Sequence, residues 1–183
     1  MSQNVTENLT VTRPELLVGG SDSDFRSFIY DLLISSVQME KLREQIGGFI
    51  DVNGLQYHVL TVISERSTRG PVTVGDVART LHAGSTHITM ETSKLVKRGL
   101  VEKTPNPEDR RSILLSLSSQ GVAALASLTT MRQEINDTIF DGFSEAEFKI
   151  FQKLIKKMVG TTTRAITVAD KIKAEQNSQN DAA

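Results

Sequence analysis

Apolar residues recur at helical spacing along most of this chain and give way to a short β-permissive stretch only after residue 99. Between residues 22 and 46 they fall mostly three or four positions apart, which predicts an amphipathic helix that Gly47 and Gly48 can end. Asn53 is a candidate N-cap for a second helix. The apolar positions behind these two predictions are Phe25, Phe28, Ile29, Leu32, Leu33, Met39, Leu42 and Ile46, then Leu55, Val59, Leu60, Val62 and Ile63.

The next segment predicts two short helices separated by a tight turn. Thr73 is a candidate cap for the third helix, and a glycine-containing turn separates it from a fourth. We expect Ser85 to cap the fourth helix, which then runs to Arg98. Gly99 suits the left-handed position that commonly follows the end of a helix.

A β-hairpin is predicted directly after the fourth helix. Leu100 and Val101 begin a strand, residues 104–109 hold two prolines and an asparagine, and residues 113–117 form an apolar return strand. Two short helices joined by a tight turn and followed by a hairpin describe a winged helix-turn-helix. We therefore predict a mainly α fold with a small β-hairpin wing, and place this motif between Val72 and Leu117.

Further helices are predicted on the C-terminal side. A long helix from about Ser119 to Asp141 carries an apolar face, and Ser144 followed by Glu147 is a capping box that opens the last helix. The polar ends of the chain, residues 1–20 and 174–183, predict a flexible arm and a disordered tail. The apolar positions of the two helices are Leu125, Leu128, Ile135 and Ile139, then Phe148, Phe151, Leu154, Ile155 and Met158.

Composition narrows the chemistry that is open to the protein. The chain has 183 residues and no cysteine, so it can bury a core without a disulfide and has no thiol chemistry. No apolar run reaches membrane-spanning length and the N-terminus lacks the order of a signal peptide, which favours a cytoplasmic protein. The net charge is −1, but nine basic residues accompany six acidic ones between Leu55 and Gln120. This local excess is a weak sign of a polyanionic partner.

The fourth helix has a polar outer face. When Ile88 marks the centre of the packed face and each residue advances about 100°, Thr92, Leu95 and Val96 join that face and Glu91 lies near its border. The opposite face carries groups that suit base edges, thymine methyls and phosphates in a major groove. The candidates for base contact are Ser85, Thr86, His87, Thr89 and Met90, with Ser93 beside them and Lys94 and Lys97 for phosphate. Taken alone, this pattern equally fits a solvated helix face.

The wing and its flanks resemble the MarR family (multiple antibiotic resistance regulators). The likeness rests on residues 95–101 (Leu-Val-Lys-Arg-Gly-Leu-Val), 106–111 (Asn-Pro-Glu-Asp-Arg-Arg) and 117–121 (Leu-Ser-Ser-Gln-Gly), whose spacings all match the family pattern. It covers roughly residues 55–158. Ser118 replaces the family's usual threonine and Val77 its usual leucine, and both changes are conservative.

The resemblance implies roles for the wing residues. Asp109 is expected to accept a salt bridge from Arg111 or another nearby arginine and so hold the hairpin tip in shape. Arg110 or Arg111 is expected to enter the minor groove, because a narrow groove concentrates negative potential. The sequence leaves open which of the two arginines inserts.

The resemblance also implies a homodimer that binds a pseudo-palindromic DNA operator, by family default as a repressor. The same apolar faces could instead form a core within one chain. The implied domains are a flexible arm at 1–20, an N-terminal dimerisation helix at 21–50, the winged domain at 51–120, C-terminal dimerisation helices at 121–173 and a disordered tail at 174–183.

A small-molecule effector is the last implication of the resemblance. Members often respond to aromatic or phenolic acids or to coenzyme A thioesters, in a pocket between the dimerisation helices and the winged domain. Arg43, Tyr57 and His58 are the candidate lining residues. No cofactor, no catalytic residue and no membrane partner is expected.

Three other functions were weighed against a DNA-binding regulator. A hydrolase lacks any recognisable nucleophile or phosphate-cradling glycine motif. A metal-responsive regulator could use His87 and Glu91, one helical turn apart, with His82 nearby. A winged-helix adaptor that binds only protein would not need the wing arginines.

Overall fold

The computed structural model describes residues 9–109 and 111–180, and it forms two compact units that meet within one helix, at residues 132 and 133. The described elements are mostly helical, with one small three-stranded antiparallel sheet. In chain order they are α1 (Ser23–Gly48), α2 (Gly54–Ser67), β1 (Val72–Thr73), α3 (Val74–Thr80), α4 (Ser85–Lys97), β2 (Val101–Pro105), β3 (Ile113–Leu117), α5 (Ser119–Ser127), α6 (Thr129–Ile139) and α7 (Glu145–Asn180). The predicted winged helix-turn-helix is confirmed as the centre of the first unit.

Side-chain caps start several of these helices where the sequence predicts them. Asn53 and Thr73 each accept a hydrogen bond from the backbone N–H three residues on, and the reciprocal bond completes a capping box in both cases. Ser144 and Glu147 exchange the same pair of bonds at the start of α7. The prediction for α4 is wrong in detail: Gly84 is the N-cap and Ser85 is already helical, so no side chain caps this helix.

The sheet is built around β3. β2 pairs with β3 along its full length, from Val101 opposite Leu117 to Pro105 opposite Ile113. β1, which the sequence did not predict, pairs with the other edge of β3. Two residues are too short to show an alternating pattern, and only the pairing partner makes this segment a strand.

The core of the first unit lies between α2, α3, α4 and the sheet. The completely buried side chains include Val59, Leu60 and Ile63 of α2, together with Val77 and Leu95. α1 packs on α2 near its own C-terminal end, where Ile46 is buried. This packing fixes α4 with one face on the core and the other face in solvent.

The predicted helix from Ser119 to Asp141 is two helices. α5 ends at Ser127, Leu128 is its buried C-cap, and α6 begins at Thr129. The Ser127 and Thr129 hydroxyls donate to carbonyls three residues back, at 2.8 Å in each case. Such bonds favour a bend, and burial of Leu128 holds the chain in it.

The ends of the chain also differ from the prediction of a loose arm and tail. Residues 1–8 and 181–183 lie outside the described part, but the Thr10 amide and hydroxyl donate to buried Asp22 at 2.7 and 2.6 Å. α7 continues to Asn180, because residues 161–180 contain no glycine or proline, and its Lys171 and Glu175 form an ion pair one turn apart.

Candidate nucleic-acid interface

The outward face of α4 is the first surface on which the predicted contacts gather. Ile88, Thr92 and Leu95 are completely buried, as predicted, whereas Val96, predicted on the same face, is exposed. Gly99 has a φ of +72°, so it ends the helix in the predicted left-handed conformation. The predicted contact residues Ser85, Thr86, His87, Thr89, Met90, Lys94 and Lys97 are all exposed, and Ser93 is half-buried.

Two hydroxyls of this face already spend their protons inside the helix. Thr89 donates to the Ser85 carbonyl at 2.8 Å, and Ser93 donates to the Thr89 carbonyl at 2.7 Å. Each oxygen is thereby left to act as an acceptor. The structure holds the Thr86 hydroxyl and the Met90 side chain in no such contact among the described residues, so these two groups remain available to a ligand.

Lys103 is a basic residue of this surface that the sequence reasoning missed. It lies on β2, and its Nζ donates to Ser93 Oγ at 2.9 Å. Burial lowers the Lys103 pKa. The contact joins the hairpin to α4 across ten positions of sequence, and no local pattern signals it. Ser93 is therefore engaged with the protein rather than free for a base, which weakens its prediction as a reading residue.

Glu91 departs most from its predicted place at the border of the face. Its side chain is only 4% exposed. Oε2 accepts from Gln56 Nε2 at 2.8 Å, Oε1 accepts from Lys94 Nζ at 2.7 Å, and His87 Nε2 lies 3.9 Å from Oε1. Burial would raise the Glu91 pKa, but the bonds from Lys94 and Gln56 outweigh it and leave the pKa lowered. The exposed face of α4 consequently carries no negative charge.

The hairpin tip is shaped by a small network of polar bonds. Asn106 Nδ2 donates to Ser112 Oγ at 2.8 Å, and the Ser112 amide and hydroxyl donate to the Asp109 carbonyl. Asp109 Oδ1 accepts from the backbone N–H of Arg111 at 3.0 Å. The expected salt bridge to Arg111 is not formed within the described residues, since the carboxylate caps the turn backbone instead.

The wing arginines differ in what the structure describes. Arg111 is exposed at the tip. Arg110, the other predicted wing residue, lies outside the described residues. The choice of which arginine inserts therefore stays open, and the minor-groove role of both stays a prediction.

The base of the wing is held by a close backbone approach. Ser118 caps α5 by accepting from the Gly121 N–H at 3.0 Å, and its hydroxyl also donates to the Gly99 carbonyl. A Cβ on Gly121 would lie 2.1 Å from the Leu100 carbonyl oxygen. Only glycine fits there, which gives the Leu-Ser-Ser-Gln-Gly motif a physical reason.

The three candidate effector residues do not converge on one point. Arg43 Nη1 lies 3.1 Å from His58 Nδ1, and Arg43 also pairs with Glu40. Burial and the neighbouring Arg43 charge lower the His58 pKa. Tyr57 is buried elsewhere, and burial raises its pKa against the smaller effect of Arg132.

A groove of about 560 Å³ lies between α2, α5 and the start of α6. Its lining includes Thr61, Ser64, Leu125 and Arg132, and none of the three predicted effector residues. No group of three metal-binding side chains is assembled within residues 9–109 and 111–180, and His82 does not join His87 and Glu91. None of the described helices is long and apolar enough to cross a membrane.

The arrangement of α3, α4 and the hairpin defines a class of protein, the winged helix-turn-helix DNA-binding regulators. The family model for the MarR family matches residues 50–112. The chain is a MarR-family transcriptional regulator. The family residues identified in the sequence thus agree with an independent comparison.

Known relatives of this family place the match in proportion. An uncharacterized HTH-type transcriptional regulator of Bacillus subtilis, YsmB, is 28% identical over 89 residues, which are 49% of this chain and 61% of that protein, less than two thirds of its length. A second one from the same organism, YpoP, is 28% identical over 64% of this chain and 86% of its own. The structure of Staphylococcus aureus MepR in complex with DNA has a TM-score of 0.65 at 20% identity, over 74% of this chain and 96% of that chain.

Proposed function

We propose that this protein represses transcription as a homodimer that binds a pseudo-palindromic DNA operator and is released from it by a small aromatic acid or its coenzyme A thioester. The observation that carries the DNA-binding part is the face of α4: its single acidic residue, Glu91, is buried, and its exposed side chains are polar or basic. Such a face can approach the negative edge of a duplex without repulsion.

The geometry of the two surfaces supports a division of labour. Ser85, Thr86 and Met90 belong to the N-terminal half of α4, the half that usually reaches base edges. Lys94 and Lys97 lie in its last turn and suit phosphates. The hairpin tip with Arg111 extends from the same unit as α4 and suits the adjacent minor groove.

Exposed apolar side chains support the homodimer. Phe28, Leu33 and Val37 of α1 are all more than half exposed in the single chain. A contiguous apolar face of this kind is more often an interface than a solvated surface. A two-fold dimer would place the two α4 helices in successive major grooves, with half-sites roughly 10 bp apart.

The effector part rests on the Arg43 and His58 pair. Their side chains meet between α1 and α2, and the Nε of Arg43 is buried with no hydrogen-bond partner among the described residues. A carboxylate would satisfy that donor and pair with the guanidinium. The groove that ends at Arg132 is a second place where an acidic ligand could meet an arginine.

The test is selection from a pool of random 30-bp duplexes with the full-length protein, followed by binding measurements on the enriched duplex. We expect a pseudo-palindrome to be enriched and its affinity to fall steeply with salt. Arg111→Ala should weaken binding to that duplex at least tenfold, since loss of a minor-groove arginine costs about 1–3 kcal/mol. Salicylate and benzoyl coenzyme A, added in turn, serve as effector probes and should release the duplex.

Lys149→Ala is the matched control for the wing variant, because it removes an exposed charge from α7 and should leave the affinity unchanged. If no sequence is enriched and binding ignores salt, the DNA-binding proposal is wrong and a protein-binding role replaces it. If the duplex is bound but neither probe releases it, the effector class is wrong while the DNA-binding part stands.

A further inference from the structure

The DNA-reading helix contains a buried carboxylate that its role in binding DNA does not require. Glu91 sits near the middle of α4 and is 4% exposed. Burial of an ionised carboxylate is costly unless both oxygens are paired. Here both are, since Oε2 accepts from Gln56 and Oε1 from Lys94.

Gln56 is itself held in place. Its backbone N–H donates to Asn53 Oδ1 at 2.8 Å, and its Oε1 accepts from the Asn53 N–H at 3.3 Å. The side-chain amide is thereby fixed within the capping box of α2, and its Nε2 is left to donate to Glu91. The bond connects α4 to the rigid start of α2 across 35 positions of sequence.

Lys94 and His87 lie on either side of the same carboxylate. The Lys94 side chain is more than half exposed, but its Nζ is directed to Glu91 Oε1, and His87 Nε2 lies 3.9 Å from that oxygen. Both are predicted contact residues on the outer face of α4. One buried group therefore sets the position of the helix on its domain and of two side chains on its exposed face.

We propose that Glu91 is a positioning residue for sequence readout, which acts through Gln56 and Lys94 and touches no DNA itself. The inference rests on the proposed DNA-binding function. A buried negative charge next to a polyanion weakens binding to every sequence, so its contribution lies in selectivity. Base-edge hydrogen bonds depend on exact helix placement, whereas phosphate contacts tolerate small shifts.

The experiment compares Glu91→Gln and Gln56→Met with the wild type. In Glu91→Gln the new amide places an N–H donor against either Gln56 Nε2 or Lys94 Nζ, so one bond is lost. In Gln56→Met the donor to Glu91 is lost at a position away from the exposed face and with no change in charge. For each protein, dissociation constants are measured for the duplex enriched by the wild type and for a shuffled duplex of equal length.

We expect both variants to lower the ratio of specific to shuffled affinity about tenfold, the usual scale of one base contact. Affinity for the shuffled duplex should hold, or rise in Glu91→Gln because a negative charge is gone. Glu65→Gln is the matched control: it removes a charge from exposed Glu65, which pairs only with Arg69 among its described neighbours, and should leave the ratio unchanged.

Three outcomes separate the possibilities. If the wild type enriches no duplex, the proposed function fails before the inference is reached. If it does and both variants keep the wild-type ratio, including the case in which both affinities change equally, Glu91 is only a structural or electrostatic residue and the inference is overturned. If circular dichroism shows both variants unfolded at 25 °C, Glu91 is a core residue rather than a positioning one, and the inference is equally overturned.

Discussion

Single side chains of this protein owe their protonation to partners very close in sequence or to burial. The hydroxyl and amide of Thr10 lower the pKa of Asp22, and the amide and hydroxyl of Thr73 lower the pKa of Asp76. Carboxylates of this kind stabilise the fold above their unfolded pKa, and that stability is lost as the pH falls through the folded value. His58 differs, because burial lowers its pKa and so opposes its charged form.

The first prediction concerns His58 and the pH dependence of stability. The unfolded chain takes up a proton near the usual histidine pKa of 6.5, whereas folded His58 resists it. Stability should therefore fall between pH 7.5 and pH 5.5, and His58→Gln should reduce that fall. The measurement is the midpoint of urea unfolding at both pH values.

His82→Asn is the control for this experiment, since His82 is exposed and asparagine tolerates its positive φ of 49°. This control should keep the wild-type difference between the two pH values. A wild-type difference in His58→Gln would show that His58 does not oppose protonation in the folded state.

At the scale of elements, short-range bonds decide where helices begin and backbone proximity decides how they join. Three capping pairs start α2, α3 and α7 where local sequence predicts them. The joint between β3 and α5 is different, because it depends on Gly121 lying against the carbonyl of Leu100. The wing is tied to the rest of the unit at this joint.

The prediction at this scale is that Gly121→Ala destabilises the winged unit by about 1–3 kcal/mol, the usual cost of forcing extra volume into a packed site. The contact is with backbone, so no side chain can move aside. Gly75→Ala in α3 is the matched control, because its Cβ would meet Thr73 Oγ1 at an ordinary 3.6 Å and should leave stability unchanged or slightly raised. Chemical unfolding monitored by circular dichroism measures both, and equal stabilities of the two variants would contradict the close approach.

At the scale of the whole molecule, the notable feature is apolar surface that one chain leaves uncovered. Phe28, Leu33 and Val37 of α1 are exposed, and so are Phe148, Phe151 and Leu154 of α7. Each unit thus carries an apolar face of its own. Burial of such faces in a second copy would contribute roughly 25 cal/mol for each Å² removed from water.

The prediction for the molecule is a dimer at micromolar concentration without DNA. Val37→Glu should shift it to a monomer that stays folded, because Val37 is 69% exposed in the single chain and the new charge would be buried only in the dimer. Sedimentation velocity measures the change. Val122→Glu makes the same substitution at a 55% exposed position of α5 and should remain a dimer, whereas a monomeric wild type would rule out the proposed assembly.

Much of the candidate site could be read from the sequence because α4 is a regular helix. A period of 3.6 residues places Ile88, Thr92 and Leu95 on one side and leaves the predicted contact residues on the other. The same reasoning misplaced Glu91 at the border and Val96 in the packed face. Near the border of a helix face, the neighbouring elements decide burial, and periodicity does not describe them.

The sequence by itself determined the elements, their order, most caps and the family, because caps, turns and helical faces depend on residues within about four positions of one another. Only the tertiary structure decided that β1 is a strand, that the helix after Leu117 breaks at Leu128, and that Asp109 caps the turn backbone. It alone joined Glu91 to Gln56 and Ser93 to Lys103. These contacts link residues 35 and 10 positions apart, and a hydrogen bond over such a separation forms only where the packed core brings its two ends together.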